Sequence, residues 1–281
     1  MLQVDNISLS LGHMPILRQV SFDAPAGELC VLMGANGAGK STLLKTLAGE
    51  YSHYKGTIRF NKKALKDIPV EGQATMRAVL SQQQSLTLPF TVTEVVRMGR
   101  FVYGYQAASL DQEIIDYALK TLQVYDLRHR SFLTLSGGQK QRVQMARVLA
   151  QLLEAPDIDA VDYAGRKMLL LDEPVTGMDI LHQQIALQLS SQLAARGVLV
   201  VAVLHDFQLA AAYAQRIVLL HQGHVYADGN VAKVLTADNI ESCFGIAVSV
   251  LQHPLCEYPL IVTAGNGTHH YSSAQEAIKI V

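Results

Sequence analysis

Glu28-Leu29-Cys30-Val31-Leu32-Met33-Gly34-Ala35-Asn36-Gly37-Ala38-Gly39-Lys40-Ser41-Thr42 is the stretch that decides the fold class of this chain. An apolar run enters a glycine-rich turn, and the turn opens Lys40 to Ala48, a segment that reads as a helix stopped by Gly49. Strand, glycine loop, helix is the context in which Gly34 to Ser41 works as a phosphate loop. The glycines let backbone N–H groups point inward at phosphates, and the helix N-terminus adds favourable potential. Lys40 supplies positive charge to the phosphates, and the Ser41 hydroxyl suits a Mg²⁺ ion. Gly34, Ala35, Asn36, Gly37, Ala38, Gly39, Lys40, Ser41 and Thr42 are therefore assigned to nucleotide binding, with ATP the expected ligand.

Outward from the loop, the chain alternates in type. Leu2 to Ser10 and Ile16 to Asp23 read as strands before it, and Thr57 to Phe60 and Ala78 to Leu80 as strands after it. Thr91 to Met98, Asp111 to Leu122 and Gln139 to Leu153 have helical patterns, so residues 83–155 form a candidate helical subdomain. The acidic segment Glu154 to Asp159 leads through Asp162 to Arg166 and is expected to be an exposed loop. Lys167 to Asp172, Ile180 to Arg196, Val198 to Leu204, Phe207 to Ala214 and Arg216 to His221 then alternate strand and helix. That order predicts an α/β fold with a mainly parallel sheet covered by helices. Ala247 to Leu251 and Leu260 to Thr263 are expected to pair as a small terminal sheet, with a helix over Ser273 to Ile280.

Two further motifs carry chemistry. Met168-Leu169-Leu170-Leu171-Asp172-Glu173 is an apolar strand ending in two carboxylates. Downstream of a phosphate loop, Asp172 is placed to orient Mg²⁺ and Glu173 to polarise water as a general base. The second motif is Leu135-Ser136-Gly137-Gly138-Gln139, which chance produces in roughly one chain of this length in a few thousand. Ser136 followed three residues later by Gln139 is also a capping box, which explains the Ser and Gln without invoking a ligand. It does not explain the double glycine, which lets a ligand approach backbone closely. Gly137 and Gly138 are thus the discriminating pair.

The ordered set Gly34–Ser41, Gln82, Leu135–Gln139, Asp172-Glu173 and His205 resembles the nucleotide-binding subunit of ABC transporters, over residues 1 to about 245. The resemblance implies a P-loop NTPase core with an antiparallel β subdomain and a helical subdomain, followed by a small extension over residues 246–281. It implies a homodimer, arranged head to tail, in which each ATP lies between one subunit's phosphate loop and the other's Ser136, Gly137, Gly138 and Gln139. Gln82 matches the family's lid glutamine, which implies a part in catalysis and Mg²⁺ sensing. His205 matches the switch histidine at the γ-phosphate, and Asp179 a dimer contact. Two departures stand out: the loop after Glu173 reads Val175-Thr176-Gly177-Met178, and Leu11-Gly12-His13 offers adenine no Tyr or Phe, which leaves either weak base stacking or a contact with His13.

Composition narrows the rest. A net charge of -1 argues against nucleic acid as the main partner. No stretch approaches the ~18–20 apolar residues that span a bilayer, and Met1 to Asp5 lack a secretory leader pattern. Cys30, Cys243 and Cys256 lack metal-ligand spacing and read as free thiols. Together with the resemblance, these features favour an importer subunit at the cytoplasmic face of a bacterial inner membrane. Its implied partners are two permease subunits and, indirectly, a periplasmic substrate-binding protein. The segment 78–100 is most similar to the importers of iron-siderophores, vitamin B12 and haem, with haem the favoured cargo. Leu86, Leu88, Pro89 and Phe90 are divided between a permease-facing surface and subdomain core. The rival readings are a soluble non-transport ATPase and an inactive regulatory subunit.

Overall fold

The computed structural model describes residues 1–82, 86–104 and 108–263. The helix expected over Ser273 to Ile280 lies outside the described residues. In chain order, β1 (Leu2–Leu11) and β2 (Met14–Ala24) form a hairpin, and β3 (Leu29–Met33) leads through the phosphate loop into α1 (Lys40–Leu47). β4 (Lys55–Phe60) and β5 (Lys63–Ala64) follow, then α2 (Val70–Met76) and β6 (Arg77–Leu80). Three helices come next: α3 (Val92–Arg97), α4 (Ala108–Thr121) and α5 (Gly137–Leu152). The chain then runs through β7 (Met168–Asp172), α6 (Ile180–Ala195), β8 (Leu199–Val203), α7 (Phe207–Tyr213), β9 (Arg216–His221) and β10 (His224–Gly229). It continues as α8 (Val231–Val234), α9 (Ala237–Phe244), β11 (Val248–Gln252) and β12 (Pro259–Thr263).

The central sheet has the order β10-β9-β3-β8-β7-β6, with β9, β3, β8, β7 and β6 parallel and β10 antiparallel at one edge. A second, antiparallel sheet has the order β2-β1-β4-β5. Residues of β3 alternate between two cores: Leu29, Val31 and Met33 face the helical side, while Cys30 and Leu32 face the antiparallel sheet. Burial on both faces is why β3, β7 and β8 read as continuous apolar runs rather than alternating ones. Each fully buried Leu or Val in them contributes roughly 1.5–3 kcal/mol relative to exposure.

This order sets the site. The parallel strands β3, β8, β7 and β6 are neighbours, and from their carboxyl ends emerge Gly34, His205, Asp172-Glu173 and Gln82 respectively. Ligands of open α/β sheets bind outside that edge.

The segment before β7 differs from the exposed loop expected there. Ile158 and Tyr163 are buried, and Tyr163 N–H donates to Arg196 O at 2.8 Å, so two apolar anchors fold an acidic stretch onto the core. Leu86 and Phe90 pack partly buried against the main core, whereas Leu88 and Pro89 are exposed. The apolar set is thereby split two and two.

Candidate functional site

The phosphate loop is shaped by close approach. Gly34 has φ 147°, and a Cβ there would stand 2.2 Å from Leu220 O. Only glycine fits. Gly39 is the N-cap of α1 and has no side chain to cap it, so the first N–H groups of the helix stay available. Lys40 is 5% exposed, and its Nζ donates to Gly34 O at 2.7 Å and Ala35 O at 2.9 Å. The loop is folded around its own cation. Burial lowers the Lys40 pKa, and the fields of Glu173 and Asp172 oppose that shift.

Ser41 Oγ donates to Asp172 Oδ1 at 3.1 Å, joining α1 to the end of β7. Burial raises the pKa of Asp172; the Ser41 hydrogen bond lowers it and the neighbouring Glu173 raises it further. A cavity of about 240 Å³ opens here, lined by Asn36, Gly37, Gly39, Lys40, Ser41 and Thr42 of the loop and by Glu173 and His205 from the sheet edge. Ala38 is buried behind it and donates its N–H to Ala35 O. Ile16 also lines this cavity, whereas His13 is exposed at the β1–β2 turn and is not among the lining residues. In the sequence, Ile16 opens the strand pattern Ile16 to Asp23 just beyond His13, and that apolar position is the signal for it.

Glu173 holds φ 51°, an uncommon left-handed conformation for a residue with a side chain, of the kind that clusters at functional sites. It directs the carboxylate across the cavity mouth, where Oε1 lies 2.6 Å from His205 Nε2. Thr176 Oγ1 donates to Oε2 at 3.2 Å. Gln141 of α5 holds the backbone of this turn, its Nε2 donating to both Glu173 O and Pro174 O at 3.2 Å. Gln82 follows β6 as an exposed residue at the same sheet edge and is not among the described residues lining the cavity.

The Leu135–Gln139 motif (the signature segment) builds a different place. Ser136 Oγ accepts from Gln139 N–H at 3.3 Å and Gln139 Oε1 accepts from Ser136 N–H at 3.0 Å, the reciprocal pair of a capping box. The two glycines part company. A Cβ at Gly138 would stand 2.6 Å from Gly177 O, so internal packing demands that glycine; around Gly137 there is open space. Gly177, at φ 75°, is therefore fitted to Gly138, and the departure after Glu173 is a matched contact.

Ser136, Gly137, Gly138 and Gln139 line a cavity of about 480 Å³ together with Arg142, Asp179 and His182. Asp179 is the N-cap of α6, accepting from His182 N–H at 3.0 Å, and the His182 ring Nδ1 stands 2.7 Å from both carboxylate oxygens. Those contacts with His182 hold the Asp179 pKa below its ordinary value. Sequence reading missed His182 and Arg142; the three-residue spacing from an N-cap Asp was the available signal for His182. These two cavities share no lining residue, and another pocket links them through Glu173, His205 and Gly177.

Comparison with known proteins places this geometry. The model of the ABC transporter family matches residues 17–176. The chain is 43% identical to the hemin import ATP-binding protein HmuV of Gloeobacter violaceus over 95% of its own length and 96% of the relative's. It is 40% identical to the protein of the same name from Deinococcus radiodurans, over 94% and 97%. A solved ABC transporter described as of metal-chelate type, in an inward-facing conformation, superposes with a TM-score of 0.75 at 26% identity, covering 94% of this chain and 98% of that one. By family model and by relatives alike, the chain belongs to the ABC transporter family.

Proposed function

We propose that the chain is the ATP-hydrolysing subunit of a bacterial haem importer, working as a head-to-tail homodimer against a separate membrane permease. The observation that carries the mechanism is the division of the site: phosphate loop and signature segment line separate cavities of one chain. A second copy brings its Gly137 surface to the first copy's Lys40 surface. Haem as cargo rests on the relatives, whose names specify hemin import.

The donor set fits Mg²⁺, a hard cation held by oxygen. Ser41 Oγ and the buried Asp172 carboxylate are 3.1 Å apart, and Asp172 is 2% exposed. Gln82 joins them when the helical subdomain closes. A Mg²⁺ ion held by these residues would supply positive charge to the phosphates of ATP. Lys40 exchanges its two carbonyl partners for phosphate oxygens. Glu173 takes a proton from the attacking water at the oxygen that His205 now occupies, and His205 turns to the γ-phosphate. ATP favours the closed dimer because the partner's Ser136, Gly137 and Gly138 gain contacts only there; hydrolysis removes them and the dimer reopens.

None of the helices among the described residues is long and apolar enough to cross a membrane. In this reading the subunit sits at the cytoplasmic face of the inner membrane and meets the permease through exposed Leu88 and Pro89. A periplasmic binding protein delivers the cargo on the other side. The test is reconstitution with a candidate permease from the same organism, in vesicles, measuring ATP-dependent movement of haem, a ferric siderophore and cobalamin. Haem uptake is expected. Uptake of either other cargo in its place overturns the haem assignment, and failure to associate with any permease overturns the importer.

A further inference from the structure

The C-terminal hairpin meets the catalytic edge of the sheet through one side chain. α7 starts two residues after His205, with Asp206 as N-cap accepting from Leu209 N–H at 2.9 Å. Gln208 lies in the first turn of that helix. Its Nε2 donates to Pro259 O at 3.2 Å, and its Oε1 accepts from Ile261 N–H at 3.1 Å. Pro259 and Ile261 pair in register with Gln252 and Val250 of β11, and they are alternate residues of β12. In an antiparallel ladder, alternate residues turn their backbone groups to the same side. The Gln208 amide therefore sits on the edge of β12 that faces away from β11, where the peptide of a third strand would lie.

Attachment alone does not call for this arrangement. Phe244 stacks edge-on against Phe207 at 4.8 Å between ring centroids, and Tyr258 and Ile261 pack against the main core. Those apolar contacts hold the extension down without specifying direction. A two-point amide contact is directional: it fixes the rotation of the first turn of α7 relative to the hairpin. His205 is joined to that turn through its N-cap, and its ring contact with Glu173 spans only 2.6 Å.

We propose that Gln208 is a positioning residue for ATP hydrolysis: by pairing with the backbone of β12, it lets the C-terminal hairpin set the orientation of α7 and hold His205 in register with Glu173. This rests on the reading of Glu173 and His205 as the reacting pair. The hairpin is thereby a part of the hydrolytic apparatus, and a ligand or partner that moves it would tune turnover.

The experiment uses the full chain with Gln208→Ala and Gln208→Glu. The second variant keeps the shape and the acceptor for Ile261 N–H while replacing the donor toward Pro259 O by a carboxylate oxygen. Both are expected to lower kcat for ATP about fivefold with KM unchanged, the scale set by losing one hydrogen bond's alignment. The histidine NMR signal of His205 is expected to shift in both. Unchanged kcat in both variants overturns the proposal. So does a fall in thermal stability and ATP affinity with kcat intact, which is the mark of a simple anchor. His205→Ala separates the two levels. If it retains full turnover, the reading of the reacting pair fails; if it is inactive while the Gln208 variants are silent, only the positioning role fails.

Discussion

The phosphate-loop face and the signature face are both glycine-rich helix N-termini, yet the fold treats them differently. At the first, Gly34 is pressed against Leu220 O, Lys40 is buried on its own loop's carbonyls and Ser41 is bonded to Asp172. Each of those three residues has a partner within the chain, while the first N–H groups of α1 stay uncapped. At the second, Ser136 and Gln139 cap each other, Gly138 is spent on contact with Gly177, and Gly137 faces open space. Gly137, the first residue of α5, is exposed, and no neighbouring atom requires a glycine there. The difference teaches where the second copy must come from: the unexplained residue of one face is the expected visitor to the other.

The comparison breaks most sharply at Glu173. Glu173→Gln is expected to keep ATP binding and to trap the dimer while turnover falls by about 10²–10⁴-fold, the range for a general base. Chromatography with ATP and a phosphate-release assay check both halves; full hydrolysis removes Glu173 from that role. Lys40→Ala acts on binding instead. Loss of a charge-assisted contact to phosphate predicts an affinity for ATP lower by about 10–100-fold, measured by calorimetry, and unchanged affinity would contradict the loop's assignment.

The smallest effect is the most discriminating for the two glycines. Gly138→Ala places a methyl group against Gly177 O and is expected to destabilise the isolated chain by roughly 1–3 kcal/mol. Gly137→Ala meets nothing in the single chain and is expected to leave its melting temperature unchanged or slightly raised, while ATP-dependent dimerisation weakens. Equal thermal shifts in the two variants would erase the distinction.

Much of this was legible in the sequence, for identifiable reasons. β3, β7 and β8 are buried on both faces and announce themselves as apolar runs, and the capping box of α5 is a local motif that survives intact. α2 was invisible because none of its residues is buried, so no apolar period marks it. The two-residue β5 and four-residue α8 are too short to carry a pattern. At the site, the separate duties of Gly137 and Gly138 depend on where Gly177 lies, a contact across about forty positions that no local spacing encodes. Ile16 escaped because its role is set by the loop that packs over it, and His182 because its partner is a cap whose side chain turns back on the helix.

The central claim is that one active site is built from two chains. The direct measurement mixes two variants, each expected to be inactive alone at an ATP concentration below the weakened affinity: Lys40→Ala, with a damaged phosphate loop, and Gly137→Asp, with a carboxylate where the partner's phosphate should arrive. A mixed dimer contains one site made of two intact faces and one made of two damaged faces. The account predicts that mixing restores ATP turnover which neither variant shows alone. Two inactive proteins that remain inactive on mixing, with mixed dimers shown to have formed, would place both faces on the same nucleotide within a single chain and contradict it.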